Sequence, residues 1–163
     1  MRVFINGFGR IGRTVLRAWA AQPDTWPGLD IVGLNDIAAP EMCGYLFEYD
    51  STFGPWAGTV ALKSGALEVN GRALPLHRVA DISALDLAGT DVVLECTGRA
   101  DTAEIAARGL RAGASRILVS GPSAAAEVTV VLGANDARLG TERIVSNASC
   151  TTNALAPLAR LIH

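Results

Sequence analysis

The sequence lacks the cysteine pattern of a disulfide-bonded or zinc-binding protein. Its three cysteines are Cys43, Cys96 and Cys150, and no two of them form a C-x-x-C pair. An odd number of cysteines without that spacing argues against a disulfide framework and against a zinc site, and it is typical of proteins in a reducing compartment. We therefore predict a cytoplasmic protein that holds no metal ion.

Long apolar runs and a strong excess of one charge are also missing. No apolar run approaches the ~20 residues that span a bilayer, and the chain starts on a strand-like segment at Arg2 without the regions of a signal peptide. The net charge is −2, with neither a basic patch nor an acidic tail. We therefore predict that neither a membrane nor a nucleic acid is a partner. Because 50% of the 163 residues are hydrophobic, the composition indicates a soluble globular domain with its own core.

Short apolar segments of β-forming residues alternate with helical segments along the chain. Strands are predicted at residues 2–6, 30–35, 91–96, 116–120, 128–132 and 143–147, and helices at residues 11–21, 40–49, 83–87, 101–112 and from 150 onwards. This alternation predicts an α/β fold with a doubly wound, mostly parallel sheet. Three further strand-like segments, 59–62, 66–69 and 73–79, predict a small antiparallel insertion, because Asn70-Gly71 is a strong hairpin signal. Residues 50–56 are predicted to form a loop.

A glycine-rich turn, residues 7–12, follows the first predicted strand and opens the first helix. In that context G-x-G-x-x-G is typical of a dinucleotide-binding, Rossmann-type sheet. Gly7 permits the tight turn, Gly9 lets the backbone approach a pyrophosphate, and Gly12 lets helix and strand pack closely. Asp36 ends the second strand, where such a fold places the carboxylate that binds the ribose hydroxyls. That carboxylate would repel a 2′-phosphate, so the predicted cofactor is NAD and not NADP. A plain glycine-rich turn and an ordinary strand-end aspartate are the alternatives.

Cys150 lies between a predicted strand and a predicted helix, with a hydroxyl residue on each side, Ser149 and Thr151. At a helix N-terminus the unpaired N–H groups and the macrodipole favour a thiolate, which is the nucleophilic form of cysteine. The same N–H groups can hold an oxyanion or a phosphate. A buried structural cysteine is the alternative.

Several of these candidate residues follow directly after predicted strands. They are the turn at residues 7–12, Asp36, Thr97, Ser120 and Cys150. Because ligands of such sheets sit outside the carboxyl ends of the strands, we expect a cofactor site and a nucleophile on the same edge of the sheet.

Four segments carry a specific combination of motifs. They are Ile5-Asn6-Gly7-Phe8-Gly9-Arg10-Ile11-Gly12-Arg13, Tyr49-Asp50-Ser51-Thr52, Cys96-Thr97-Gly98 and Ser146-Asn147-Ala148-Ser149-Cys150-Thr151-Thr152-Asn153. This combination closely resembles the phosphorylating glyceraldehyde-3-phosphate dehydrogenase family, and the resemblance covers the whole chain. The erythrose-4-phosphate dehydrogenases are near relatives with the same combination.

The resemblance implies an enzyme that converts glyceraldehyde 3-phosphate and inorganic phosphate to 1,3-bisphosphoglycerate with NAD, in glycolysis, gluconeogenesis or the Calvin cycle. Cys150 would attack the aldehyde to give a thiohemiacetal, loss of a hydride to NAD would leave a thioester, and inorganic phosphate would release the acyl phosphate. Ser149 and Thr151 match the hydroxyl residues that bind this phosphate.

The resemblance also implies the contacts to the cofactor. Arg10 and Ile11 match positions beside the pyrophosphate, and Asp36 matches the ribose ligand. The positions around the adenine and nicotinamide halves are matched by Arg78, Thr97 and Ser120. For these three, ordinary strand-end residues are the alternative.

The family continues for about as many residues again, with a catalytic histidine that neither His77 nor His163 matches. We therefore expect an NAD-binding domain at residues 1–149, the start of a catalytic domain at residues 150–163, and almost no activity from this chain alone. The full-length protein is expected to form a homotetramer. Loss of the family's closing C-terminal helix is expected to leave an apolar groove exposed. Erythrose 4-phosphate as the substrate, and a stand-alone NAD-binding module without catalysis, are the alternatives.

Overall fold

The computed structural model describes residues 1–162, so His163 lies outside the described residues. The strands are β1 (Arg2–Asn6), β2 (Asp30–Asn35), β3 (Tyr49–Asp50), β4 (Gly54–Pro55), β5 (Val60–Lys63), β6 (Ala66–Val69), β7 (Arg72–His77), β8 (Val92–Glu95), β9 (Arg116–Val119), β10 (Val128–Thr129) and β11 (Ile144–Ser146). The α-helices are α1 (Arg10–Ala21), α2 (Pro40–Glu48), α3 (Ala103–Ala106), α4 (Arg108–Arg111) and α5 (Cys150–Ile162). Short 3-10 helices cover Pro23–Thr25, Ile82–Ala84 and Asp136–Arg138.

Nine of the strands form one sheet, in the order β10-β11-β9-β8-β1-β2-β7-β6-β5. All neighbouring strands from β10 to β7 are parallel, whereas β5, β6 and β7 pair antiparallel. These pairings confirm the predicted α/β fold with a mostly parallel sheet and an antiparallel insertion. The chain builds the sheet outwards on both sides of β1, so the carboxyl end of β1 lies where the strand order reverses and where such sheets bind ligands.

The antiparallel insertion extends the main sheet. β7 pairs with β6 on one side and, through Leu76 and His77, with the end of β2 on the other. The turn between β6 and β7 has positive φ angles at Asn70 (51°) and Gly71 (81°), as the Asn-Gly hairpin signal predicts. As a result, the residues that follow β7 lie beside those that follow β2.

Two predicted helices are shorter than expected. The helix predicted at residues 101–112 is divided into α3 and α4 at Ala107, whose ψ of 2° departs from helical values. The helix predicted at residues 83–87 is the 3-10 helix Ile82–Ala84. The Asp81 carboxylate begins this turn by accepting the N–H of Ser83 at 2.9 Å.

A predicted strand and a predicted loop also differ. The strand predicted at residues 128–132 stops after Thr129, because the Asn135 side chain accepts the Val131 N–H at 2.6 Å and donates to the Thr129 carbonyl at 3.0 Å. The segment predicted as a loop at residues 50–56 contains most of a two-stranded sheet formed by β3 and β4. The Asp50 carboxylate closes the turn between them by accepting two backbone N–H groups.

The core has two layers, one on each face of the sheet. Alternate residues of β1 serve both, since Val3 and Ile5 lie in one cluster and Phe4 lies in the other. Leu16 of α1 and Phe47 of α2 complete the first cluster. Ala106 of α3 belongs to the second cluster. With helices on both faces, the carboxyl edge of the sheet is left free to form a site.

An apolar groove lies on the first face, between α1 and the strands beside it. Its volume is about 470 Å³, and Trp19, Trp26, Leu29, Leu94, Leu118 and Leu139 are among the residues that line it. We call it the apolar groove. No helix of residues 1–162 is both long enough and apolar enough to cross a membrane.

Candidate cofactor and nucleophile site

The glycine-rich turn after β1 is held by close backbone contacts. Gly7 has a φ of +92°, and a Cβ there would lie 2.7 Å from the Cys96 carbonyl carbon and from the Thr97 nitrogen. A Cβ on Gly12 would lie 2.2 Å from the Gly7 carbonyl oxygen. Both positions therefore require glycine, and the turn is packed directly against the segment that follows β8.

Gly9 differs from the other two glycines because its Cβ position is open. A Cβ on Gly9 would meet no atom within 4 Å. Gly9 is also the N-cap of α1, where no side chain satisfies the first N–H groups of the helix. Open space in front of free N–H groups and a positive helix end fits a pyrophosphate.

The Asp36 carboxylate links the end of β2 to the glycine-rich turn. One oxygen accepts the Phe8 N–H at 2.7 Å, and the other accepts the Ala38 N–H at 2.8 Å. A carboxylate has about four acceptor positions, so it retains capacity for ribose hydroxyls.

A first cleft of about 260 Å³ opens in front of these residues, and we call it the Asp36 cleft. It brings together four residues predicted from the sequence: Gly7, Gly9, Asp36 and Thr97. Its other lining residues are Asn6, Asn35, Ile37, Val79, Ala80, Glu95, Cys96, Arg99, Ile105 and Arg108. Arg78 lies beside this cleft and its Nε donates to the Ile37 carbonyl at 3.0 Å.

The residues of the Asp36 cleft that the sequence did not predict fall into an apolar group and a polar group. The apolar ones, such as Ile37 and Ile105, carry no signal that distinguishes them from core residues. The polar ones that end buried strands do carry such a signal, because polar residues at such positions need hydrogen-bond partners. They are Asn6, Asn35 and Glu95.

A second cleft of about 370 Å³ contains the thiol, and we call it the Cys150 cleft. It brings together Ile11, Ser120 and Cys150 from the predicted set. Its remaining lining residues are Val15, Leu94, Cys96, Leu118, Asn147, Ala148 and Asn153. Cys96 lines both clefts, so they adjoin at the end of β8. Burial raises the pKa of the Cys96 thiol to about 11, with a partly opposing hydrogen bond from Ser120, so this thiol is protonated at neutral pH.

Cys150 is exposed at the first residue of α5. The chain turns sharply before it, since Ala148 has a φ of +59° and is buried. The Asn153 side chain braces this turn by donating to the carbonyls of Asn147 (2.6 Å) and Ser149 (3.0 Å). A left-handed alanine is strained, and it persists only where surrounding contacts hold it. The turn fixes Cys150 at the carboxyl edge of the sheet.

The two predicted phosphate-binding hydroxyls do not line the Cys150 cleft. The Ser149 hydroxyl accepts the Thr152 N–H at 3.1 Å, and therefore caps α5. Ser149 lines a separate cleft of about 420 Å³ together with Ser123 and Thr129. The Thr151 hydroxyl lies 3.0 Å from that of Ser149, on the exposed first turn of α5.

Arg10, a predicted pyrophosphate contact, and His77, which does not match the family's catalytic histidine, lie outside both clefts. Arg10 is exposed at the start of α1. His77 pairs with Asn35 in the sheet and its ring lies 5.9 Å from that of Phe4. No imidazole or carboxylate is among the described residues that line the Cys150 cleft. Across residues 1–162, no group of three or more His, Cys, Asp or Glu side chains is placed to hold a metal ion.

Comparison with known families decides the relationship. The family model for "Glyceraldehyde 3-phosphate dehydrogenase, NAD binding domain" matches residues 1–103. The chain belongs to the glyceraldehyde-3-phosphate dehydrogenase family. NAD is accordingly the cofactor of this domain, as the sequence predicted, and the open position at Gly9, the free N–H groups of α1 and Asp36 fit it.

Glyceraldehyde-3-phosphate dehydrogenases from several organisms match over the whole chain. The Haemophilus influenzae protein is 42% identical over 165 residues, which is 100% of this chain and 48% of that protein. Glyceraldehyde-3-phosphate dehydrogenase A of Escherichia coli is 44% identical and covers 100% of this chain and 49% of that protein. The cytosolic enzyme of Leishmania mexicana is 43% identical with the same coverage. The chain therefore spans about half the length of the curated relatives it matches.

Proposed function

We propose that this chain is the cofactor-binding half of an NAD-dependent, phosphorylating glyceraldehyde-3-phosphate dehydrogenase and that it carries the nucleophile. The observation that carries the proposal is that the Asp36 cleft and the Cys150 cleft adjoin at Cys96, on one edge of the sheet. A dinucleotide site and an exposed thiol at a helix N-terminus are thereby placed next to each other.

The residues that would hold NAD are distributed along this edge. Asp36, Arg78 and Thr97 would hold the adenosine half. The turn that would hold the pyrophosphate consists of Gly7, Gly9, Arg10, Ile11 and Gly12. The nicotinamide half would be held by Ser120. The chemistry that NAD supplies there is acceptance of a hydride.

Cys150 would carry the covalent step. Its thiolate sulfur bonds to the aldehyde carbon, and the carbonyl electron pair moves to the oxygen, which the free N–H groups at the start of α5 stabilise. A general acid would protonate this oxygen to give the thiohemiacetal hydroxyl. The same group, now a base, would take that proton back as the hydride leaves the carbon for NAD, and the re-formed carbonyl would be that of a thioester. Inorganic phosphate then attacks the thioester carbon and expels the Cys150 thiolate as the acyl phosphate forms. We propose that Ser149 and Thr151, whose hydroxyls lie outside the Cys150 cleft at the start of α5, bind this phosphate as it approaches.

The Cys150 cleft contains no base among the described residues, so we place the base in the half that the relatives have in addition. We propose that residues 1–149 form the NAD-binding domain and that residues 150–163 start the catalytic domain. We also propose a cytoplasmic homotetramer, in accord with the cytosolic relative of Leishmania mexicana. The relatives' names favour the three-carbon sugar phosphate over erythrose 4-phosphate.

The test compares this chain with a fusion in which the second half of the Escherichia coli relative follows it. The chain alone should form almost no NADH from NAD, glyceraldehyde 3-phosphate and phosphate, because a general base is worth about 10²–10⁴-fold. The fusion should form NADH, Cys150→Ser should abolish this activity, and Cys43→Ala should retain it as the matched control. Robust turnover by the chain alone, or an active Cys150→Ser fusion, would overturn the proposal.

A further inference from the structure

A continuous chain of side-chain hydrogen bonds crosses the carboxyl ends of three neighbouring strands. Asn35 of β2 donates through Nδ2 to Asn6 Oδ1 of β1 at 2.8 Å, and Asn6 Nδ2 donates to Glu95 Oε2 of β8 at 2.6 Å. All three residues are buried, with exposed fractions of 3% for Asn35, 6% for Asn6 and 3% for Glu95. We call this the Asn35–Asn6–Glu95 chain.

Both ends of the Asn35–Asn6–Glu95 chain hold backbone that lines the Asp36 cleft. At one end, Glu95 Oε1 accepts the Thr97 N–H at 2.9 Å and also the Thr97 hydroxyl. At the other end, Asn35 accepts the Val79 N–H at 2.9 Å and donates to the Val79 carbonyl at 3.0 Å. Thr97 and Val79 come from segments after β8 and β7, so the bonds connect two walls of the cleft across four strands.

The Glu95 carboxylate sets the direction of the whole chain. A carboxylate only accepts, so Asn6 must turn its NH₂ group towards Glu95 and its oxygen towards Asn35. The Asn6 oxygen in turn fixes the NH₂ group of Asn35, and this leaves the Asn35 oxygen facing the Val79 N–H. Buried donors and acceptors without partners are costly, so reversing either amide is unfavourable while Glu95 is in place.

We infer that Glu95 is a positioning residue for the cofactor, which holds Thr97 and Val79 in the geometry that binds the dinucleotide. It acts through the two amides and has no part in the reaction at Cys150. The inference rests on the proposed placement of the adenosine half in the Asp36 cleft. The backbone at Thr97 has little freedom to adopt another position, because Gly7 packs directly against the Cys96–Thr97 peptide.

The test uses Glu95→Gln, which keeps the shape of the side chain but introduces an NH₂ group. In the wild type one carboxylate oxygen accepts from Asn6 Nδ2 and the other accepts from the Thr97 N–H, so the NH₂ group meets a donor in either position. We expect the Kd of NAD, measured by calorimetry, to rise roughly tenfold, as a buried donor–donor conflict implies. Hydrogen exchange of the Val79 amide should accelerate without cofactor, although Val79 lies three strands away from Glu95. A role confined to packing around Glu95 would not change that amide.

A second substitution distinguishes positioning from a general loss of stability. With Asn6→Asp added to Glu95→Gln, the new carboxylate can accept from the new amide and from Asn35. The bond between positions 6 and 95 then reverses, with the charge moved by one residue, but Asn35 keeps its orientation towards Val79. We expect this double variant to recover the wild-type Kd to within about threefold. Glu68→Gln removes one charge on the distant strand β6 and is the matched control, with no expected change in either measurement.

The outcomes are distinguishable from failure of the proposed function. Wild-type NAD affinity in Glu95→Gln, unchanged Val79 exchange, or no recovery in the double variant would overturn the inference. If the wild-type chain binds no NAD, the proposed placement of the cofactor fails. In that case, unchanged Val79 exchange in Glu95→Gln would also overturn the claim that Glu95 holds the cleft wall.

Discussion

At the scale of single residues, the three cysteines occupy different environments. Cys43 is 3% exposed in the core beside Phe47, and its pKa is raised chiefly by burial, with a further contribution from Asp36. Cys96 is half-buried where the two clefts adjoin, with a pKa of about 11. Cys150 is exposed at the start of α5. Thiolate character and access together decide cysteine reactivity, and only Cys150 has both a helix N-terminus and solvent access.

We predict that Cys150 is alkylated first. With limiting iodoacetamide at pH 8, peptide mass mapping should find the label on Cys150, because burial keeps Cys43 and Cys96 protonated. Since the Cys96 pKa is raised, its labelling should increase only as the pH rises towards about 11. Labelling of Cys43 or Cys96 before Cys150 would contradict this, and Cys150→Ser should remove the early label.

At the scale of elements, the glycine-rich turn combines one structural requirement with one functional requirement. Gly12 is needed because α1 passes directly over the Gly7 carbonyl, whereas Gly9 faces open space. Substitutions at these two positions therefore separate folding from cofactor binding.

We predict that Gly9→Ala impairs mainly NAD binding, whereas Gly12→Ala impairs mainly the stability of the fold. Gly9→Ala should change the free energy of unfolding by less than about 1 kcal/mol but should weaken NAD binding, because its methyl group occupies the space proposed for the pyrophosphate. Gly12→Ala should destabilise the fold by about 1–3 kcal/mol or more, because its methyl group meets backbone. Denaturant unfolding and calorimetry measure the two effects. Unimpaired NAD binding by Gly9→Ala would contradict the pyrophosphate placement.

The buried parallel strands and the glycine-rich turn could be predicted from sequence because their signals are local and repeated along the chain. The shorter elements could not, since single side chains decide them. Asn135 ends β10, Asp81 starts a 3-10 helix, and Asp50 closes the turn between β3 and β4. Such side-chain bonds to backbone compete with regular structure and leave little trace in hydrophobic periodicity.

The candidate site likewise contains residues that the sequence predicts and residues that only the paired strands bring together. Asp36, Thr97, Ser120 and Cys150 could be predicted to lie on one edge of the sheet. Each follows a predicted strand, and the carboxyl ends of parallel strands meet at the same edge. The Asn35–Asn6–Glu95 chain was missed because its members lie far apart in sequence and meet only when three strands pair. Ser149 is next to Cys150 in sequence, but its hydroxyl caps α5 and the residue lines another cleft.

At the scale of the whole molecule, the described chain has an apolar groove and exposes large apolar side chains on α5. The apolar groove was expected from the sequence resemblance, and α5 adds a second surface. Leu161 is 84% exposed and Ile162 is 79% exposed, at the end of the helix that follows Cys150. Exposed apolar surface of this kind promotes association in water.

We therefore predict that the purified chain self-associates as its concentration rises. Sedimentation velocity should show a concentration-dependent shift that the double substitution Leu158→Lys and Leu161→Lys reduces, because charged side chains on α5 oppose association. Met42→Lys, at another exposed apolar residue, should have less effect. A chain that remains monomeric at all concentrations would contradict this prediction.

Calorimetric titration of the chain with NAD and with NADP tests the central claim most directly, since that claim is a dinucleotide site at the edge that presents Cys150. We predict one NAD bound per chain, and weaker binding of NADP because the Asp36 carboxylate repels a 2′-phosphate. The absence of NAD binding by the folded chain, or a preference for NADP, would contradict the claim.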